Sequence, residues 1–297
     1  MHKKFVLLSF ISVLLVSVWL PQTAQAVEVI DEKLGVPIVA LGANLSEDEK
    51  ANVLNKLNVS AGDDYEQVSV TGQDLIKYIP NGNGNARMFS SAKITRLDEG
   101  KGLTVEIVTP ENITQVTRDM YATAILTAGV EDARVEVAAP KAVTGHSALV
   151  GIYKAYEDAG GTLDTERTNV ANDELSVATK LAEQSNVDKD EVAQLLTEIK
   201  KQIAEQAPAS KEDVERIVNE QLSKFKIELS EEDRQLLIDL MDRIRGLDID
   251  FSKLSDQMTD LANKLKDKIG SIDPGFWESV KQFFADIFDK IKSWFKS

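Results

Sequence analysis

From Val36 to about Gly161 the chain alternates short β-rich apolar runs with stretches of helical period, the pattern of an α/β or α+β domain. Val36 to Leu41 reads as a compact strand. Ser46 and Glu49 form a capping box ahead of Val53, Leu54 and Leu57 at helical spacing. Gln67 to Thr71 predicts a second strand and Gln73 to Ile79 a short helix, followed by the loop Asn81-Gly82-Asn83-Gly84-Asn85. Ala92 to Leu97 and Leu103 to Val108 flank Asp98-Glu99-Gly100-Lys101-Gly102, a hairpin signal. Thr117 leads a helix closed by Gly129, Val135 to Ala138 is a strand stopped by Pro140, and Ser147 to Glu157 is a helix capped by Ser147 or Thr144.

Beyond Gly160-Gly161 the β-rich runs fade and capped amphipathic helices take over. The predicted helices are Asn172 to Gln184, Asp190 to Gln206, Lys211 to Phe225, Glu231 to Arg245, Ser252 to Ile269 and Gly275 to Phe295. The expected organisation is an α/β domain over 27–161, an all-α helical region over 162–273 and a C-terminal amphipathic aromatic helix over 274–297.

That last helix has a composition of its own. Phe276, Trp277, Val280, Phe283, Phe284, Ile287, Phe288, Ile291, Trp294 and Phe295 fall on one face, an arc of roughly 140° at about 100° per residue. Lys281, Lys290 and Lys292 lie along its edges, where their stems can follow apolar surface while the ammonium groups stay in water. Such a face can pack on the protein's own helical region, on a second copy in a homo-oligomer, in a membrane interface, or on a cell-wall or envelope protein. Its aromatic richness favours the lipid interface or a foreign partner, because Leu, Ile and Val fill the other helices.

At the other end, Lys3 and Lys4 precede an apolar run from Phe5 to Leu20, and Ala24-Gln25-Ala26 supplies a small-residue cleavage pattern. Cleavage after Ala26 is expected, which makes 1–26 a signal peptide and places the mature chain outside the cytoplasm, secreted or held at the cell envelope. The whole chain carries 34 Lys and Arg against 49 Asp and Glu, a net charge of −15. Losing Lys3 and Lys4 takes the balance to 32 against 49, or −17. No nucleic-acid partner is expected from such a charge. Cysteine is absent, which excludes disulfides, thiol catalysis and Cys-ligated metal, and an exported protein without disulfides suits a Gram-positive exterior.

Candidate chemistry is sparse. His146 is the one histidine after residue 26, so multi-histidine metal sites are not expected. Gly145-His146-Ser147-Ala148-Leu149 imitates a nucleophile elbow but has Leu149 where the turn needs glycine. Asn81 to Asn85 lacks the lysine and spacing of a phosphate loop, and Asp248-Ile249-Asp250 lacks the glycine and glutamate of a calcium loop. The reading names no catalytic, cofactor-binding or metal-binding residues and no cofactor.

Ser90-Ser91-Ala92, Asn112-Ile113-Thr114, Asp119-Met120-Tyr121, Leu126-Thr127-Ala128-Gly129-Val130, Ala138-Ala139-Pro140 and Thr144-Gly145 resemble the YpuA-like secreted proteins of Gram-positive bacteria, a domain-of-unknown-function family. The resemblance implies an exported protein and transfers no catalytic residue. His146 stands where that pattern usually has threonine. The expected role is a non-enzymatic cell-envelope or extracellular binding or structural protein, attached through its C-terminal helix. The alternative is a carboxylate-dependent hydrolase of cell-wall glycan or another external substrate.

Overall fold

The computed structural model describes residues 35–79, 82–185, 187–250 and 256. The first apolar run forms strand β1 (Ile38–Gly42), buried at every position. Around it β2 (Glu66–Val70), β3 (Ser91–Arg96), β4 (Thr104–Ile107) and β5 (Ala133–Ala138) assemble one mixed sheet in the order β2-β1-β3-β5-β4. Helices α1 (Glu47–Lys56), α2 (Gly72–Tyr78), α3 (Arg118–Ala128) and α4 (Ser147–Asp158) are interleaved with the strands. They are followed by α5 (Thr165–Gln184), α6 (Lys189–Gln206), α7 (Lys211–Phe225) and α8 (Glu231–Gly246). An α/β part followed by an all-α part is therefore the observed fold class.

Strand alternation divides the core. Val39 and Leu41 point to α1 and pack with Leu45, Val53, Leu57 and Ala138 in a small cluster. Ile38, Ala40, Ala92, Ile94, Val135 and Val137 point the other way, into a large cluster that continues through α3 and α4 to α5–α8. Among the described residues the sheet and the helical region thus share one core across the turn at Gly160-Gly161.

The strands flanking Asp98–Gly102 exist, but they do not form the predicted hairpin. Strand β5 lies between them, antiparallel to β3 and parallel to β4. Its side chains are buried from Val135 to Ala138, which suits an interior strand, whereas β4 exposes Thr104 and Glu106, which suits an edge. The parallel β4–β5 pair is joined through α3, the crossover such a pair requires.

Two helix starts also differ from expectation. Helix α5 begins seven residues before the predicted Asn172, with Asp164 accepting from the Arg167 amide. Its first turns look loop-like in sequence, yet Thr168, Val170 and Ala171 are buried. At α4 neither Ser147 nor Thr144 caps the helix: His146 stands at the start in helical geometry, with no side-chain cap. The predicted signal peptide with Ala24 and Ala26 lies outside the described residues, as do the aromatic helix from Phe276 to Phe295 and, apart from Asp256, the helix over Ser252 to Ile269.

Candidate functional site: a groove lined by amides and hydroxyls

Two adjoining hollows, about 430 and 360 Å³, share Leu75, Ile79 and Asn172. Together they form a groove beside α2 and the 82–89 loop, reaching the start of α4 and the outer faces of α5 and α8. Each hollow has the size of a small-molecule site.

One wall is α2 with the loop that follows it. A capping box between Thr71 and Asp74 starts α2, and Asp74 Oδ1 also accepts from Lys154 Nζ at 2.8 Å, tying α2 to α4. At its other end Tyr78 donates to Glu157 at 2.6 Å, and its phenol pKa is raised by burial and by that carboxylate. Gly72 lets the loop close on the helix: a Cβ there would stand 2.1 Å from the Gly84 carbonyl oxygen. Beyond the loop, the Met88 amide donates to Asn44 Oδ1 at 2.8 Å and the Met88 carbonyl accepts from the Asn44 amide at 3.1 Å. The wall is therefore pinned at both ends.

The second wall is the entry to α4. Ile113 and Val143 form an isolated bridge, the Val143 amide donates to the Asn112 carbonyl at 2.8 Å, and the Thr114 amide donates to the Val143 carbonyl at 2.9 Å. Asn112 Nδ2 donates to the Ala139 carbonyl at 2.8 Å, and the Tyr121 hydroxyl to the Gly145 carbonyl at 2.5 Å. Gly145 has φ +106°, and a Cβ there would lie 2.7 Å from that hydroxyl. Asn112, Ile113, Thr114, Tyr121, Thr144 and Gly145, which carry the family resemblance, thus converge on the turn that aims α4 at the groove.

Along the groove, Asn169 and Asn172 sit one helical turn apart on α5, with Asn83 also lining the first hollow and Thr144 and Ser147 the second. No hydrogen bond to the described protein engages the side chains of Asn169, Asn172, Thr144 or Ser147. All four residues line the space between the walls. Asp173, the one carboxylate among the residues lining either hollow, accepts from Arg243 Nη1 at 2.6 Å. His146 Nε2 lies 3.3 Å from Thr179 Oγ1. Burial lowers the imidazole pKa from its ordinary value, with Glu183 pulling the other way, which favours the uncharged ring. The Ser147–His146 pairing of a nucleophile elbow is not made. Among the described residues no cluster of three His, Asp or Glu could hold a metal ion.

Sequence reasoning singled out Asn81 to Asn85 and Thr144 to Ser147 as local features but did not bring them together. It missed Asn169 because the start of α5 read as loop. The available signal was Asp164, a helix-capping residue three positions before Arg167.

A family model described as "Protein of unknown function (DUF1002)" matches residues 41–261, a span that includes every residue lining the groove. The chain is 35% identical over 298 residues to the uncharacterized protein YpuA of Bacillus subtilis (strain 168), covering 94% of this chain and 99% of that relative. No solved structure matches it. With matches of that extent, and with the residues of the resemblance gathered around one turn of the fold, the chain belongs to the DUF1002 family.

Proposed function

We propose that this protein is an exported, non-enzymatic binding protein of the cell envelope, with the groove as its ligand site and residues 274–297 as its attachment to the membrane interface. The uncommitted amides and hydroxyls of Asn169, Asn172, Thr144 and Ser147 carry the binding reading. They offer recognition, whereas the acid and the imidazole beside them are already engaged by Arg243 and Thr179. The signal-like pattern before Val27 supports export. Attachment is supported by contrast: among the described residues Ile76, at 40%, is the one exposed large apolar side chain, while the sequence of 274–297 has ten apolar positions on one helical face. No helix of the described residues is long and apolar enough to cross a membrane, so the attachment proposed is peripheral.

Fractionation of producing cells into medium, wall and membrane tests the reading, comparing the full chain with one ended at Asp273, both shown folded by circular dichroism. The truncated chain is expected to move from membrane to medium. Phe284→Ser with Phe288→Ser is expected to shift it the same way with an unchanged melting temperature. An unchanged distribution overturns the attachment, and retention of both forms inside the cell overturns export.

A further inference from the structure

We infer that the groove binds an uncharged, N-acetylated oligosaccharide, an inference that rests on the groove being the ligand site. The lining offers an anion no cluster of cations. Asp173 and Arg243 neutralise each other at 2.6 Å, burial favours the uncharged form of His146, and the remaining charged lining residue, Arg87, keeps its charge with its guanidinium over the Phe89 ring, so the lining offers a single unpaired cation. A polyanionic ligand would also meet the field of a chain with net charge −15.

The uncharged groups match a sugar more closely than an apolar molecule. Each free asparagine amide offers two donors and an acceptor, the complement of neighbouring hydroxyls or of an acetamido group. Asn169 and Asn172 stand one turn apart on α5, about 5–6 Å between Cβ atoms, which can engage substituents of one ring or of two linked rings. Leu75, Ile79 and Val143 are apolar lining residues that keep some exposed surface beside the polar groups. This apolar floor suits the C–H face of a pyranose and the methyl of an acetamide, and the two hollows sharing Asn172 suit consecutive rings.

Isothermal titration of the chain from Val27 to Ser297 with the β-1,4-linked tetramer of N-acetylglucosamine tests the inference, with the unacetylated glucose tetramer as control. Saturable binding is expected for the acetylated tetramer, with at least about tenfold weaker binding for the control and for Asn172→Ala, the loss of roughly one hydrogen-bonding group. Alanine favours a helical surface position, and Asn169→Ala gives a second reading should Asn172→Ala misfold. Equal binding of both tetramers overturns the acetamido assignment, and binding unaffected by either variant overturns the groove. An N-acetylated, amidated tetra-alanine separates the levels. If this peptide binds and the sugars do not, the saccharide falls while the groove stands as a ligand site. If neither peptide nor sugar binds, both fall, and attachment is still decided by fractionation.

Discussion

Two lysine–glutamate pairs, each closed at 2.7 Å, lie on opposite sides of the sheet in unlike surroundings. Lys93 and Glu136 are directly opposed on β3 and β5, on the thin side covered by α1, with side chains 11% and 9% exposed. Lys93 Nζ also donates to the Leu57 carbonyl at the end of α1, and Glu106 on β4 stands in register with Glu136. On the thick side, Lys200 of α6 and Glu174 of α5 are wholly buried. There the protein replaces water completely. Lys200 donates to Glu174, to Thr127 Oγ1 and to the Thr123 carbonyl, while Glu174 accepts from the hydroxyls of Thr123 and Thr127. Burial lowers the Lys200 pKa, and Glu174 opposes that shift. The thin-side pair holds a strand and a helix end at the margin of water. The thick-side pair joins α3, α5 and α6 through a polar knot that must be complete, because a buried charge without its partner is costly whereas a complete pair can be nearly neutral.

Removing one partner from each pair breaks the comparison most directly. Lys200→Met leaves Glu174 buried without its cation, and a loss of about 3–5 kcal/mol is expected, read from urea unfolding at pH 7. Glu174→Leu combined with Lys200→Met removes both charges and is expected to recover most of that loss. A single variant no more costly than its thin-side equivalent would show that enclosure does not separate the two pairs.

Lys93→Met is that equivalent. Glu136 is mostly buried but not wholly enclosed as Glu174 is, so the expected cost is smaller, about 1–2 kcal/mol, combining a partly exposed ion pair with the lost bond to Leu57. Salt sharpens the contrast: molar NaCl is expected to shrink the Lys93 effect by screening the margin of the sheet and to leave the Lys200 effect nearly unchanged. Equal salt sensitivity would place both pairs in contact with solvent.

The same contrast explains what the sequence could tell. The α1 capping box, the Thr117 cap and the Gly129 stop of α3 are local, made by residues within a few positions of one another, and all three are found as predicted. The order of strands is not local. Asp98 to Gly102 is a good turn in either arrangement, and the apolar character of β5, thirty residues on, decides which strand β3 pairs with. Glu174 and Lys200 escaped for a related reason. On isolated helices each reads as one more solvated charge, and burial becomes visible only once α3 covers them. The groove was half legible: the residues of the resemblance mark the turn at Gly145, but Asn169 and Asn172 become a wall only after α5 is extended back to Thr165.

The smallest expected effect lies at the edge of the thick side, where burial acts on an imidazole, a group whose ordinary pKa is close to neutrality. His146 faces Thr179 and, at longer range, Glu183, both from α5. Its folded pKa lies below the unfolded value of 6.5, so between those two values the unfolded chain binds more protons than the folded one. Its contribution to stability is therefore complete above 6.5 and is lost as pH falls through the folded pKa. His146→Gln keeps a polar side chain and removes the titration. Melting temperatures measured from pH 7.5 to 5 are expected to decline less steeply in this variant than in the parent, with the two differing least at the alkaline end. Parallel decline would assign the acid sensitivity elsewhere and would mean that α5 does not shield the imidazole as closely as it encloses Lys200.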